Sequence, residues 1–217
     1  MTVVGTLTHE FGHYAVARAL GYEASINYQS SSHWNDRING YLNDIYRQYP
    51  GAIKNNGDFP GKEKYLSVMA RYRSDSFWII LGGPLQTMLT GTIGFILLLS
   101  YRKKIMTTDR VRFAGWLIIF MALFWLRQVA NLFVGIASFL VKGQTTISGD
   151  EMSLAYLSGI NIWSIQILTG LLGVGVLIQV IRMLPNNQVL TFLISGLVGG
   201  SVGYYLWLMQ FGPYILP

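Results

Sequence analysis

The chain has 217 residues, of which 52% are hydrophobic and only 12% are charged, and its formal net charge is +6. Soluble domains usually carry about 25% charged residues, so this composition argues against a soluble globular protein and indicates a multi-pass membrane protein. Cysteine is absent, which excludes disulfides and thiolate metal ligands. The modest positive charge fits anchoring at a lipid bilayer better than nucleic-acid binding, and the oligomeric state stays open.

Apolar segments predict an all-α fold, a polytopic transmembrane helical bundle. The first segment, Thr2–Leu20, has only a short apolar stretch before His9, so either its helix starts deep in the membrane or the natural chain begins upstream of Met1. Four further segments each reach the roughly 20 residues that cross a bilayer core: Phe77–Tyr101, Phe113–Val141, Ile160–Leu184 and Val189–Gly212. We therefore expect about five apolar segments in one integral membrane domain over residues 1–217, with a bacterial cytoplasmic membrane as its setting.

Residues 21–76 form a polar insertion between the first two apolar segments. Within it, Ala24–Ser30 alternates apolar and polar residues like a short strand, and Gly51–Gly61 has the composition of a loop. The positive-inside rule places the basic linker from Arg102 to Arg112 in the cytoplasm and the insertion on the other side, together with residues 142–159. The insertion itself carries basic residues close to a membrane segment, so the orientation stays open: Lys62, Lys64, Arg71 and Arg73.

The strongest chemical signal is the HExxH pattern at residues 9–13. On a helix, His9 and His13 lie one turn apart on one face, a spacing with which two imidazoles bind a single Zn²⁺, while Glu10 is placed to act as general base. Ionisable residues in apolar segments are costly and usually functional. The alternative is that these histidines only hydrogen-bond a neighbour.

The segment His9–Gly21 resembles the motif helix of the site-2 protease family of intramembrane zinc metalloproteases, which carry HExGHxxxA followed by a glycine. Gly83-Pro84 resembles the Gly-Pro pair at the start of a later helix in that family. The chain departs from the family at Thr87, where members often have Asn, and it lacks their usual Asp-Gly signature. The resemblance implies a zinc cofactor, a membrane-protein substrate cut by water that Glu10 activates, and a β element that pairs with the substrate.

A catalytic zinc ion takes three protein ligands, and in a chain without cysteine the third is a carboxylate or His33. The acidic pair Asp150-Glu151, which follows Ser148-Gly149, lies just before the third long apolar segment. By analogy with the family we expect Asp150 as the ligand, with Glu151 as the second candidate, and residues 150–157 as an extension of the following helix. Alternatively, the pair caps a helix start, where acidic residues are favoured. His33 has the setting of a surface or loop histidine.

Arg127 and Asn131 are four residues apart in the longest apolar segment and therefore share a helix face. Intramembrane arginine usually faces a cavity or a partner, so either side chain could hold the scissile carbonyl or its oxyanion. The alternatives are polar contacts between helices, or pairing of Arg127 with a carboxylate such as Glu10 or Asp150. In the last segment, four glycines are spaced for close helix packing: Gly196, Gly199, Gly200 and Gly203.

A non-catalytic membrane protein is the competing interpretation. It would be a degenerate protease homologue that acts as a binding partner, or a small transporter with a buried His/Glu site. Thr87 and the short stretch before His9 favour this class, whereas the complete HExxH pattern favours the protease.

Overall fold

The structure, a computed structural model, describes residues 2–106, 111–144, 147 and 149–217. Met1, Ser148 and residues 107–110 of the predicted basic linker lie outside the described residues. The fold is predominantly helical, as predicted, with one small sheet. Its helices are α1 (Thr2–Ala19), α2 (Asp36–Gln48), α3 (Pro50–Lys54), α4 (Lys62–Met106), α5 (Phe113–Ala122), α6 (Leu126–Lys142), α7 (Asp150–Leu157), α8 (Ser164–Met183), α9 (Asn186–Tyr204) and α10 (Gly212–Ile215). A 3₁₀ turn at Leu123–Trp125 joins α5 to α6, and a π-helix at Tyr205–Phe211 joins α9 to α10.

Within the described ranges, four helical stretches are long and apolar enough to span a membrane: Lys62–Lys104, Phe113–Lys142, Ser164–Met183 and Asn186–Ile215. The prediction of about five such segments was therefore wrong for Thr2–Leu20. This segment is helical, but α1 is too polar to count as a span. It contains three threonines, the two histidines of the motif, Glu10 and Arg18. The coarser prediction of a multi-pass membrane protein agrees with the four apolar stretches.

The second predicted segment begins earlier than expected, because α4 starts at Lys62 rather than Phe77. Its polar first part packs through aromatic contacts that the hydropathy of the chain does not reveal. The Phe59 ring stacks 5.4 Å from the ring of Tyr49 and meets Tyr65 edge-on at 5.6 Å. The first part of α4 thereby packs together with the end of the preceding polar stretch.

The insertion contains the predicted β element as a hairpin. Strand β1 (Glu23–Ile26) pairs antiparallel with β2 (Ser31–Trp34). The predicted strand Ala24–Ser30 was too long, since the carboxamide of Asn27 accepts hydrogen bonds from the backbone of Gln29 and Ser30 and so closes the turn. The predicted loop at Gly51–Gly61 was wrong in its first part, which is helical in α3.

Helices α1 and α4 pack antiparallel at very close range. The backbones of Gly12 and Gly82 meet, and a Cβ atom at Gly12 would lie 2.8 Å from the carbonyl carbon of Gly82. Small residues permit such an approach. Just after α1, the Tyr22 hydroxyl donates a hydrogen bond to Asp75 of α4 at 3.0 Å. Burial, together with this bond, raises the pKa of Tyr22 to about 12, so the hydroxyl remains a donor at neutral pH.

Residues 150–157 do not extend the following helix, contrary to our expectation. They form the separate helix α7, and the chain turns after it at Gly159, whose φ of +70° favours glycine. Helix α7 begins with Asp150 beside His9 and His13, at the level of residues 79–87 of α4. The C-terminal helices reach the β1–β2 hairpin, because the Trp207 indole donates a hydrogen bond to the Tyr28 carbonyl at 2.8 Å.

The glycines of α9 do not make the close packing that their spacing predicts. In the described part of the chain, no atom lies within 4 Å of a Cβ built at Gly196, Gly199 or Gly200. Only Gly203 has a neighbour, the Thr2 side chain. The main apolar core lies instead between α4, α5 and α8 and contains Leu98, Ile119, Ala122, Val180 and Met183.

Candidate metal centre

The two histidines and the glutamate of the HExxH pattern lie together in the interior. His9, Glu10 and His13 are all buried, and one ligand atom from each lies within 4.8 Å of the others. The helical spacing of α1 produces this grouping, as predicted from the sequence. The group could hold a metal ion.

Asp150, at the start of α7, lies against both imidazoles. The Nε2 atoms of His9 and His13 are 3.2 Å apart, and Oδ2 of Asp150 lies 2.8 Å from the first and 3.5 Å from the second. Bonds of about 2.0–2.1 Å in a tetrahedron place ligand atoms about 3.3–3.4 Å apart. The three atoms therefore have nearly the separation that one tetrahedral zinc ion requires, which leaves Glu10 beside them for a different role.

The other nitrogen of each imidazole is engaged by α4. His13 Nδ1 lies 2.8 Å from the Ile79 carbonyl oxygen, and His9 Nδ1 lies 2.8 Å from Thr87 Oγ1. Because a carbonyl oxygen only accepts, the 2.8 Å contact is a hydrogen bond when His13 Nδ1 carries the proton, and Nε2 then keeps its lone pair. The Gly83 N–H lies farther from the same Nδ1, at 3.4 Å. Metal-binding histidines are usually oriented by such contacts on their second nitrogen.

The contact between Thr87 and His9 was not predicted from the sequence. Thr87 was considered only as a departure from the Asn of the family, yet it is buried and holds His9. Its position was the available signal: it lies one helical turn after Gly83 and therefore on the same face of α4.

Gly83 leaves the space that an ion would need between the imidazoles. A Cβ atom at this position would lie 2.6 Å from His9 Nε2 and equally close to His13 Cε1. Any larger side chain would therefore occupy the place where the ligand atoms converge. The donor set and this opening together fit a bound metal.

We expect Thr87→Val to weaken metal binding by this group, with zinc as the probe ion, about 10- to 100-fold, the usual cost of losing an outer hydrogen bond to a metal-binding histidine. Valine keeps the shape of threonine but cannot accept a hydrogen bond from His9. The measurement is zinc affinity by competition with a chromogenic chelator. Thr87→Ser, which keeps the hydroxyl, is the matched control; equal weakening in both variants would show that the hydroxyl is not the cause.

Glu151, the second candidate for the third ligand, turns away from the histidines. It is buried, and its Oε2 accepts a hydrogen bond from the Asn131 side-chain amide at 3.0 Å. Asn131 therefore contacts α7 and not the reacting groups, which corresponds to the predicted alternative of a polar contact between helices. His33 lies half-buried on β2, 6.1 Å from the Tyr22 ring, outside the metal-capable group that the described residues form.

Arg127 is beside the candidate base. Its terminal nitrogen lies 3.8 Å from Oε1 of Glu10, an ion pair looser than a hydrogen bond. Of the described residues around the group, Glu10, Asp150 and Glu151 are acidic and Arg127 is basic. Ionised, they sum to three negative charges and one positive charge, so a divalent cation would neutralise a site that water cannot screen well.

Comparisons with known proteins identified no relative of this chain. A scan against protein-family models found no match, and searches of curated proteins and of solved structures found none either.

Proposed function

We propose that this chain is an intramembrane zinc metalloprotease of the site-2 protease type. The observation that carries the proposal is the convergence of His9 Nε2, His13 Nε2 and Asp150 Oδ2 at 2.8–3.5 Å, with the Glu10 carboxylate next to them. Two imidazoles and one carboxylate are a ligand set of hydrolytic zinc enzymes. The HExGH pattern and Gly83-Pro84 support the same assignment.

When bound, zinc would polarise the scissile carbonyl and make water a strong nucleophile at neutral pH. The protein residues supply the remaining steps. Glu10 is positioned to take the proton from the attacking water and to return it to the leaving amine. Arg127 orients the Glu10 carboxylate and offers a cation toward the oxygen that becomes negative.

The proposed substrate is a membrane-embedded segment of another protein. The candidate centre lies against residues 79–87 of α4, within the apolar part of a membrane-spanning stretch. A soluble chain has poor access to that depth. The β1–β2 hairpin packs beside α1, and addition of the substrate to its edge would hold the scissile bond extended.

Zinc content tests the metal site directly. Purified wild type should contain about one zinc ion per chain, and Asp150→Asn should lower zinc affinity at least about 100-fold, since a catalytic site has only three protein ligands. The assay is metal analysis after dialysis against a defined zinc buffer. The control is Asp58→Asn, because the Asp58 side chain is fully exposed and pairs only with Lys62.

Two results would contradict the proposal. Wild-type protein that binds no zinc would remove its basis, and Asp150→Asn with unchanged zinc would remove Asp150 as a ligand. Solute flux that depends on Glu10, in a protein that cleaves no membrane substrate, would support the transporter interpretation instead.

A further inference from the structure

An open groove lies on the outside of the bundle between α4 and α8, two helices that are long and apolar enough to span a membrane. We call it the outer groove. Its volume is about 490 Å³, within the roughly 300–1,000 Å³ of small-molecule sites. Phe95 of α4 forms one wall, and side chains of α8 form the other: Leu168, Leu171, Leu172, Val176 and Gln179.

Gly175 keeps the outer groove open on the α8 side. It lines the groove, and no described atom lies within 4 Å of a Cβ atom built there. Two other glycines of α8 have the opposite setting. A Cβ atom at Gly170 would lie 2.6 Å from the Leu132 side chain, and one at Gly173 would lie 2.8 Å from the Trp125 carbonyl oxygen. The space at Gly175 is therefore not used for packing between described helices.

The outer groove follows one face of α8 to the end of that helix. Leu168, Gly175, Gln179 and Arg182 are separated by seven, four and three residues, so they lie on the same face. From Leu168 to Gln179 the helix rises about 16 Å, close to the roughly 15 Å of hydrocarbon in one leaflet of a bilayer. The groove therefore has the length of one acyl chain of a lipid, with Gln179 at the end where such a chain joins its ester.

Gln179 is a polar residue on the outer face of a membrane span. Its side chain is exposed, and no described residue forms a hydrogen bond with it. An unpaired amide is unfavourable in hydrocarbon, so this position favours an occupant that offers hydrogen-bond acceptors near the membrane surface. The ester carbonyls of a phospholipid are such acceptors, and the Gln179 amide has two N–H groups to donate.

The end of the outer groove beyond Gln179 is positively charged. Both helices end on this side of the bundle, because Leu98 of α4 packs in one core cluster with Val180 and Met183 of α8. Arg102 lies two turns after Phe95 and hence on the groove side of α4, and Arg182 lies in the last turn of α8.

The two arginines are available to a ligand. Both side chains are exposed, and neither forms an ion pair with a described residue. The linker that starts at Arg102 strengthens the positive charge, since residues 102–112 include five basic residues and one acidic residue. Arginine is suited to phosphate, and basic pockets between membrane helices bind anionic headgroups. The charge of this end therefore complements an anionic headgroup.

We propose that the outer groove binds one anionic diacyl phospholipid. An acyl chain lies between α4 and α8, an ester carbonyl accepts a hydrogen bond from Gln179, and the phosphate lies at Arg102 and Arg182. None of these residues belongs to the candidate metal centre. The proposal goes beyond the proposed function and does not depend on it.

Lipid affinity is measured by native mass spectrometry of the full chain in detergent, with 1-palmitoyl-2-oleoyl phosphatidylglycerol or the phosphatidylcholine with the same chains. The wild type should bind one phosphatidylglycerol at least about fivefold more tightly than phosphatidylcholine, the effect of about one basic residue near an anionic lipid. The double variant Arg102→Gln/Arg182→Gln should lose this preference. Its control is Arg37→Gln/Arg47→Gln, which removes the same charge from exposed positions of α2.

A second variant tests the chain-binding part of the outer groove. Gly175→Leu places a side chain in the open space and should weaken the binding of both lipids at least about fivefold, because contacts of the acyl chain with the groove walls are lost. Gly196→Leu on α9 is the matched control, since a Cβ atom there also has no described neighbour within 4 Å and Gly196 does not line the groove.

Three results would each overturn the proposal: equal wild-type affinity for the two lipids, an unchanged preference in Arg102→Gln/Arg182→Gln, or equal lipid binding by Gly175→Leu and Gly196→Leu. The two arginines are exposed, so their variant decides the proposal even where Gly175→Leu does not fold. Neither measurement uses zinc or proteolysis. A zinc-free wild type that prefers phosphatidylglycerol would contradict only the proposed function, and a zinc-containing protease without this preference would contradict only the lipid site.

Discussion

Replacement of Glu10 by Gln should abolish peptide hydrolysis and leave zinc in place. The amide keeps the size of the carboxylate but cannot take a proton from water, and general-base catalysis typically contributes 10²- to 10⁴-fold to a rate. His9, His13 and Asp150 retain their positions around the metal, so zinc content should stay at the wild-type level. Cleavage is measured on single-span model substrates reconstituted with the protein, and zinc is measured on the same samples.

Glu63→Gln is the matched control for this experiment, because Glu63 is exposed in the first turn of α4 and lies outside the site. It should cleave like the wild type. Full activity in Glu10→Gln would show that Glu10 is not the base. Loss of zinc together with activity would instead make Glu10 a metal ligand, which its place within 4.8 Å of both imidazoles allows geometrically.

Gly83→Ala should eliminate zinc binding, although it adds only one methyl group. The new carbon would lie 2.6 Å from His9 Nε2, inside the space between the ligand atoms. Gly83 directly precedes Pro84, whose ring disfavours a Cβ on the preceding helical residue, so the midpoint of thermal unfolding is measured beside zinc affinity to separate a weaker helix from a lost site. We expect zinc affinity to fall at least about 100-fold, since the first ligands would be displaced rather than an outer contact.

Gly175→Ala on α8 is the control for the second experiment, because no described atom lies within 4 Å of its added Cβ. It should bind zinc normally and unfold at the same or a higher temperature. Wild-type zinc affinity in Gly83→Ala would mean that the imidazoles do not converge on one ion at this point.

That His9 and His13 lie side by side was predictable, because one helical turn fixes their relation whatever the rest of the chain does. Asp150 is 137 residues after His13 in the numbering, and only the family resemblance pointed to it rather than to Glu151. The two differ in direction: Asp150 turns to the histidines and Glu151 to Asn131. That choice depends on how α7 packs against α4 and α8, which no local pattern encodes.

Other features depended on packing between elements and could not be predicted from local sequence. Thr87 and the Ile79 carbonyl contact the imidazoles only because Gly12 and Gly82 let α1 and α4 approach so closely. The glycines of α9 were predicted to pack closely against another helix, but three of the four have no described neighbour within 4 Å. Small residues permit a close contact but do not supply a partner. Hydropathy likewise located the apolar part of α4 but not its polar beginning, whose aromatic contacts form only after folding.

The length of α4 has a mechanical consequence. At 1.5 Å per residue, its 45 residues extend roughly 67 Å, about twice the thickness of a bilayer core. Tyr65 packs against Phe59, and Ile79 and Gly83 contact the histidines, so all three belong to one helix with no loop between them. No proline lies between Tyr65 and Ile79 either, so a tilt of the first part of α4 moves the carbonyl that orients His13.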